Sequence, residues 1–215
     1  TGQGSSGDTD LIYLTGVNQK HSGIEVQGQA QLTDMIRLDG SASIGNWFFD
    51  GDAVGDYKAY GEEGTVTTTY EYALDGLYVG DMPQQGLALG GTLTPTPGLK
   101  VQALFNWYNR NFSDWSPGDR EMSGGDADRY QVWEAPSYSN LDLHATFDIP
   151  TTFELGGSTV TMQAFVHVCN ALAEIVVQDA VDNSQYDSWG GTGNHDADNA
   201  EVFLGHPRYF NAGVT

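Results

Sequence analysis

The strongest constraint on this chain is a two-residue period. Across residues 23–32, Ile24, Val26, Gly28, Ala30 and Leu32 alternate with Glu25, Gln27, Gln29 and Gln31. A strand sends successive side chains to opposite faces, so this run makes one oily face and one wet face. The period returns in residues 36–49 and in 141–148, where Leu, Leu, Ala and Phe alternate with Asp, His, Thr and Asp. It is less clean in 160–168, where Phe165 interrupts the polar face. Helix-period segments are nearly absent and Gly is frequent, at 28 of 215 residues. The expected class is all-β and antiparallel.

Strands are predicted near 10–17, 23–32, 36–49, 84–94, 99–111, 138–149, 159–171 and 201–215, about eight in all, with a local hairpin within 65–79. Short turns at 33–35, 95–98 and 150–158 take turns with long polar segments at 50–83, 112–136 and 178–199. A transmembrane β-barrel has this rhythm, with short turns on one side and long loops on the other. Residues 1–215 therefore read as one up-and-down β-barrel, or an open barrel segment, with long acidic loops on one side. Trp47, Trp107, Tyr108 and Phe112 fall near the long-loop ends and suit an interfacial girdle. A soluble sandwich or a lipocalin-like barrel alternates in the same way.

Charge narrows the partners. Eight Lys and Arg against 29 Asp and Glu give a formal charge of −21. Such a chain repels a phosphate backbone and anionic lipid headgroups, so nucleic acid is excluded as a partner. The single Cys169 forms no internal disulfide and reads as a buried or lipid-facing small hydrophobe. No apolar run reaches the length of a spanning helix, and residues 1–7 carry no secretory signal pattern.

Candidate sites lie in the loops. Asp50, Asp52 and Asp56 stand at positions 1, 3 and 7 of a calcium-loop-like run with Gly55 at position 6, but Gly61 replaces the closing Glu. Asp196 and Asp198 form a second acidic cluster, facing Asp179, Asp182 and Asp187 across the same loop. Ca²⁺ is thus the cofactor to consider, against a solvated acidic surface. Trp115, Tyr130, Trp133, Tyr186 and Trp189 are aromatics in polar loop sequence, suited to stacking on a small molecule or glycan, or to packing the loops together. The histidines lack metal-ligand spacing, and His144 and His167 are expected to meet as a hydrogen-bonded pair on the wet face. No nucleophile elbow or other catalytic signature is present, so a non-enzyme is expected.

Several stretches resemble TonB-dependent outer-membrane receptors. They are the strand entry His21-Ser22-Gly23-Ile24-Glu25, the run Asn106–Pro117 leading into an outer loop, Pro136-Ser137-Tyr138 with Leu141-Asp142-Leu143, Phe165–Leu172, and the closing segment 200–215 with Gly205-His206-Pro207-Arg208-Tyr209-Phe210. The likeness follows the family's order and matches the last third of a barrel of about 22 strands. No plug domain or TonB box is recognised. The resemblance implies the wall of an outer-membrane receptor for nutrient uptake, in contact with lipid. A self-standing product would be a secreted or surface structural protein, its copies joined through strand edges. A third reading is a soluble, Ca²⁺-stabilised carbohydrate-binding module.

Overall fold

The computed structural model describes residues 11–61, 64–122, 128–182 and 194–215. In chain order the strands are β1 (Leu11–Thr15), β2 (Gln19–Gln31), β3 (Ile36–Phe49), β4 (Ala53–Gly61), β5 (Gly64–Tyr72), β6 (Gln85–Thr96), β7 (Leu99–Asn109) and β8 (Asn111–Phe112). A single turn of helix, α1 (Pro117–Arg120), follows. The remaining strands are β9 (Glu134–Ala135), β10 (Tyr138–Leu155), β11 (Ser158–Cys169), β12 (Val177–Val181), β13 (Glu201–Leu204) and β14 (Tyr209–Val214). Seven of them form one open antiparallel sheet in the order β2-β3-β6-β7-β10-β11-β14, an up-and-down meander with β2 and β14 at its edges.

Its register joins the alternating runs into two continuous faces. Ile24 pairs with Ile44, Leu89 with Gly40 and Phe105, Leu143 with Ala103 and Val168, and Val166 with Ala212. One face is therefore apolar from edge to edge. It is open to the surroundings, with Ile24 at 73%, Val26 at 65%, Leu89 at 50% and Phe210 at 79% relative exposure. The opposite face carries Gln27 against Ser41, Gln102 against His144, and Asp148 against Gln163.

The three short connections explain themselves. Thr33 Oγ1 accepts from the N–H groups of Met35 and Ile36 and tightens the β2–β3 turn. Pro97 precedes Gly98, whose φ of +84° meets the need of the β6–β7 turn. The β10–β11 hairpin turns on Gly156 and Gly157, both at positive φ, so the turn sits near the end of the predicted 150–158 connection and β10 continues through Pro150.

The packed core is not under the sheet. Phe49, Ala53, Tyr72, Leu74, Leu77, Val79, Phe112 and Val132 bury one another in a layer made by the long connections. Here lie the departures from the expected eight strands. Residues 11–15 leave the meander and pair with β4, which pairs in turn with β5, giving a separate three-stranded sheet. The hairpin expected within 65–79 is instead β4–β5, while residues 77–79 enter the core. The final strand splits at Gly205–Arg208, where Pro207 has no N–H to give a ladder. Its first half, β13, pairs with β12, and only β14 joins the sheet.

The girdle reading needs correction. Of the four aromatics, Trp107 alone falls on the apolar face, in register with Leu87 and Ser139. Trp47 is in register with His21 and stacks on it, Tyr108 shares the polar face with Tyr138, and Phe112 is buried in the loop core.

Candidate functional site

The polar face and the loop layer at its end make up the candidate site. On the polar face, β10 and β11 place His144 opposite His167, and their Nδ1 atoms stand 2.6 Å apart. One ring then donates and the other accepts. Cys169, expected to be buried or lipid-facing, belongs to this polar face too, opposite Tyr209 and half-buried.

Long-range polar contacts lock the loop layer. Gln84, 1% exposed, donates from Nε2 to the Trp47 carbonyl at 2.9 Å, and its Oε1 accepts from the Trp47 N–H. This amide ties the upper end of β3 to the start of β6. Asp52 Oδ1 accepts from the N–H groups of Leu74 and Asp75, each at 3.0 Å, and both Asp52 oxygens accept from Arg129. The Arg129 bond, aided by those backbone donors, holds the Asp52 carboxyl below its ordinary range.

A buried charge cluster binds the 112–136 segment to the 178–199 segment. Arg120 is 1% exposed and donates to the carbonyls of Asp128 and Tyr130 at 3.0 and 2.7 Å. Its guanidinium stands 3.8 Å from Asp182, also 1% exposed. Both His195 ring nitrogens face carboxylates, Nδ1 toward Asp182 and Nε2 toward Asp128 at 2.7 Å. Burial pushes the Asp182 carboxyl up, with His195 and Arg120 opposing. Burial also works against Asp128, yet the Tyr130 N–H, His195 and Arg120 together hold it below the usual range.

A second group brings three carboxylates together. Asp81, from the β5–β6 connection, interacts with Asp179 of β12 and with Asp114, and its carboxyl is pushed up to about 7 by burial, then by these two neighbours. Asp114 is fixed by its own backbone, its N–H donating to the Ala180 carbonyl and its carbonyl accepting from the Asp182 N–H, both at 2.8 Å.

The residues singled out from sequence have varied places. Trp115 packs edge-on to Phe49 and tilted against Tyr72, so it belongs to the loop core. Trp133 is half-buried, and its carbonyl accepts from the Ser113 N–H and hydroxyl. Tyr130 is 77% exposed, with its ring centroid 6.3 Å from that of His195. Tyr186, Trp189 and Asp187 lie outside the described residues. Asp52 is engaged as above, while Asp56 sits on β4 and accepts from Thr69 at 2.7 Å. The extended backbone from Ala53 onward carries Asp56 away from Asp52, at about 3.3 Å per residue. Asp50 is exposed; Asp196 bonds the Asp198 N–H and the Asn199 amide within its own turn, and Asp198 is exposed. Among the described residues, no group of three or more His, Cys, Asp or Glu side chains is arranged to hold a metal ion.

Sequence reasoning missed Arg120, Asp128 and Gln84. A signal existed for the first: only eight basic residues occur in the chain, and an arginine amid acidic loop sequence is a natural organiser. No protein-family model, curated protein or solved structure matches the chain.

Proposed function

We propose that the seven-stranded sheet is a section of a transmembrane β-barrel wall serving solute uptake at a bacterial outer membrane, as in the TonB-dependent receptors the sequence resembles. The carrying observation is the inversion of the usual burial pattern. Seven strands present one continuous apolar face to the surroundings, while the packed core sits in the loop layer. Water disfavours so large an exposed apolar surface, and an antiparallel sheet in water covers its oily face. Lipid satisfies that face, and the Gln, Ser, Asn and His side chains opposite suit a wet lumen. The loop layer then caps one mouth of the barrel.

The test is flotation of the purified protein with phospholipid vesicles after refolding from urea. Vesicle-bound protein with protease-protected wall strands is expected. Folded protein that stays in the aqueous fraction without detergent would overturn the reading.

The sheet edges favour one alternative. All thirteen residues of β2 are exposed and, among the described residues, the strand has a neighbour on one side only, so its outer backbone groups can recruit another strand. Filaments forming without lipid would select a structural, self-assembling protein.

A further inference from the structure

On the polar face, where the upper ends of β7, β10, β11 and β14 meet the base of the β12–β13 hairpin, lies an open pocket of about 390 Å³. We infer that it is a binding site for a neutral, hydroxyl-rich ligand of the saccharide class. This site deepens the uptake reading, and the role of its ligand as cargo rests on that reading.

The pocket is preorganised by one buried amide. Asn170, 6% exposed and at φ +49°, donates from Nδ2 to the carbonyls of Glu174 and His206, and its Oδ1 accepts from the Glu174 N–H. Glu174 in turn accepts from the Ser139 N–H and hydroxyl at 2.6 and 3.1 Å. The Gly205 N–H donates to the Val176 carbonyl. These bonds fix the overhanging segments at 176–178 and 205–206 against the strands, so the pocket needs little ordering on binding.

Its lining selects the ligand. Tyr108 and Tyr138, on neighbouring strands, pack with ring centroids 5.1 Å apart and planes tilted by 44°, so that either ring can take the apolar face of a sugar ring. Asn106 and Gln178 contribute amides that both donate and accept, as a hydroxyl does. Among the described residues no Lys or Arg lines the pocket, and the one carboxylate there, Asp142, already accepts from the Asn170 N–H and the Asn140 amide. An anion would meet Asp142 and the −21 formal charge of the chain, with the His206 imidazole beside it rather than a Lys or Arg. A cation would find the carboxylate already hydrogen-bonded. The volume lies toward the low end of small-molecule pockets, about 300–1,000 Å³, and suits one or two sugar rings.

Binding is read with detergent-solubilised protein on a printed array of neutral, uronate-bearing and amine-bearing oligosaccharides, and affinities by calorimetry with the best neutral spot. Binding confined to neutral glycans is expected. Tyr138→Ala and, as a smaller change, Asn106→Ala should each weaken it about tenfold or more, the worth of one stacked ring or hydrogen bond. Gln29→Ala, elsewhere on the polar face, should leave it unchanged. Silence on the whole array, preference for charged glycans, or indifference to both pocket variants would overturn the site. Vesicle flotation separates the two proposals. Protein that floats but binds no glycan removes the site and leaves the wall, and protein that binds neutral glycans but does not float keeps the site and removes the cargo role.

Discussion

Arg120 and Asp182, each 1% exposed, approach to 3.8 Å in the interior of the loop layer, and each lies in a different long connection. A buried ion so placed is held by its partner, since removing one leaves the other charged and desolvated. Arg120→Ala is expected to destabilise the loop layer by about 3–5 kcal/mol. Limited proteolysis should then cut within the 112–136 and 178–199 segments while the sheet stays intact. Equal protection in wild type and variant would show that the pair carries no such load.

The Asp81, Asp114 and Asp179 group makes the same layer sensitive to pH. Burial and the two neighbours raise the Asp81 carboxyl from 3.8 to about 7, so between those values the folded state keeps a proton that the unfolded chain has lost. Stability from this group is therefore greatest below about 4 and declines as pH rises through 7. Asp52 and Asp128 are lowered and act in the opposite sense, their contribution present at neutral pH and lost as pH falls through and below the ordinary carboxylate range. Thermal melts at pH 4 to 8 should show falling loop-layer stability, and Asp179→Asn should flatten the slope. A variant with the same slope as wild type would rule out this source.

Charge on the oily face is the sharpest test of the wall. Leu89 lies in the middle strands and is 50% exposed. Leu89→Arg is expected to cost about 2–4 kcal/mol of folding into vesicles, the price of a basic side chain near the bilayer midplane. Ala88→Arg, one residue away on the polar face, should cost far less. Urea titrations in lipid measure both, and equal penalties would contradict a lipid-facing assignment.

The β10–β11 turn offers a conformational test. Gly156 and Gly157 stand at φ +60° and +82°. Gly157→Val should destabilise the hairpin by about 1–2 kcal/mol, because a β-branched side chain strains left-handed backbone. Gly156→Asn should be nearly neutral, as asparagine tolerates this region. Folding midpoints in urea distinguish the two.

Local pattern explains why the sheet was readable. Alternation in 23–32 or 141–148 is complete within one strand, and it assigns each side chain to a face before any partner is known. Turn chemistry at Thr33, Gly98 and Gly156 is equally local. The loop layer obeys no such period. Asp52 meets Arg129 across 77 positions and Arg120 lies within 3.5 Å of His195 across 75, and nothing near any of these residues announces the partner. The same limit misplaced residues 10–17. Their β character was legible, but their choice of β4 over β2 depends on a hairpin that the polar sequence of 50–83 concealed. The saccharide pocket was hidden for a further reason, since its lining is gathered from four strands and a distant hairpin.

Among the described residues the meander has seven strands, and seven is odd. Each step across it reverses chain direction, so the two edge strands, β2 and β14, point the same way. Joining them directly would make a parallel seam, whether one copy curls onto itself or copies sharing one membrane orientation form a ring. Two copies meeting β2 to β2 across a twofold axis would pair antiparallel but send their loop layers to opposite sides. A barrel that closes antiparallel all the way round, with every loop layer at one mouth, therefore places an odd number of additional strands between β14 and β2.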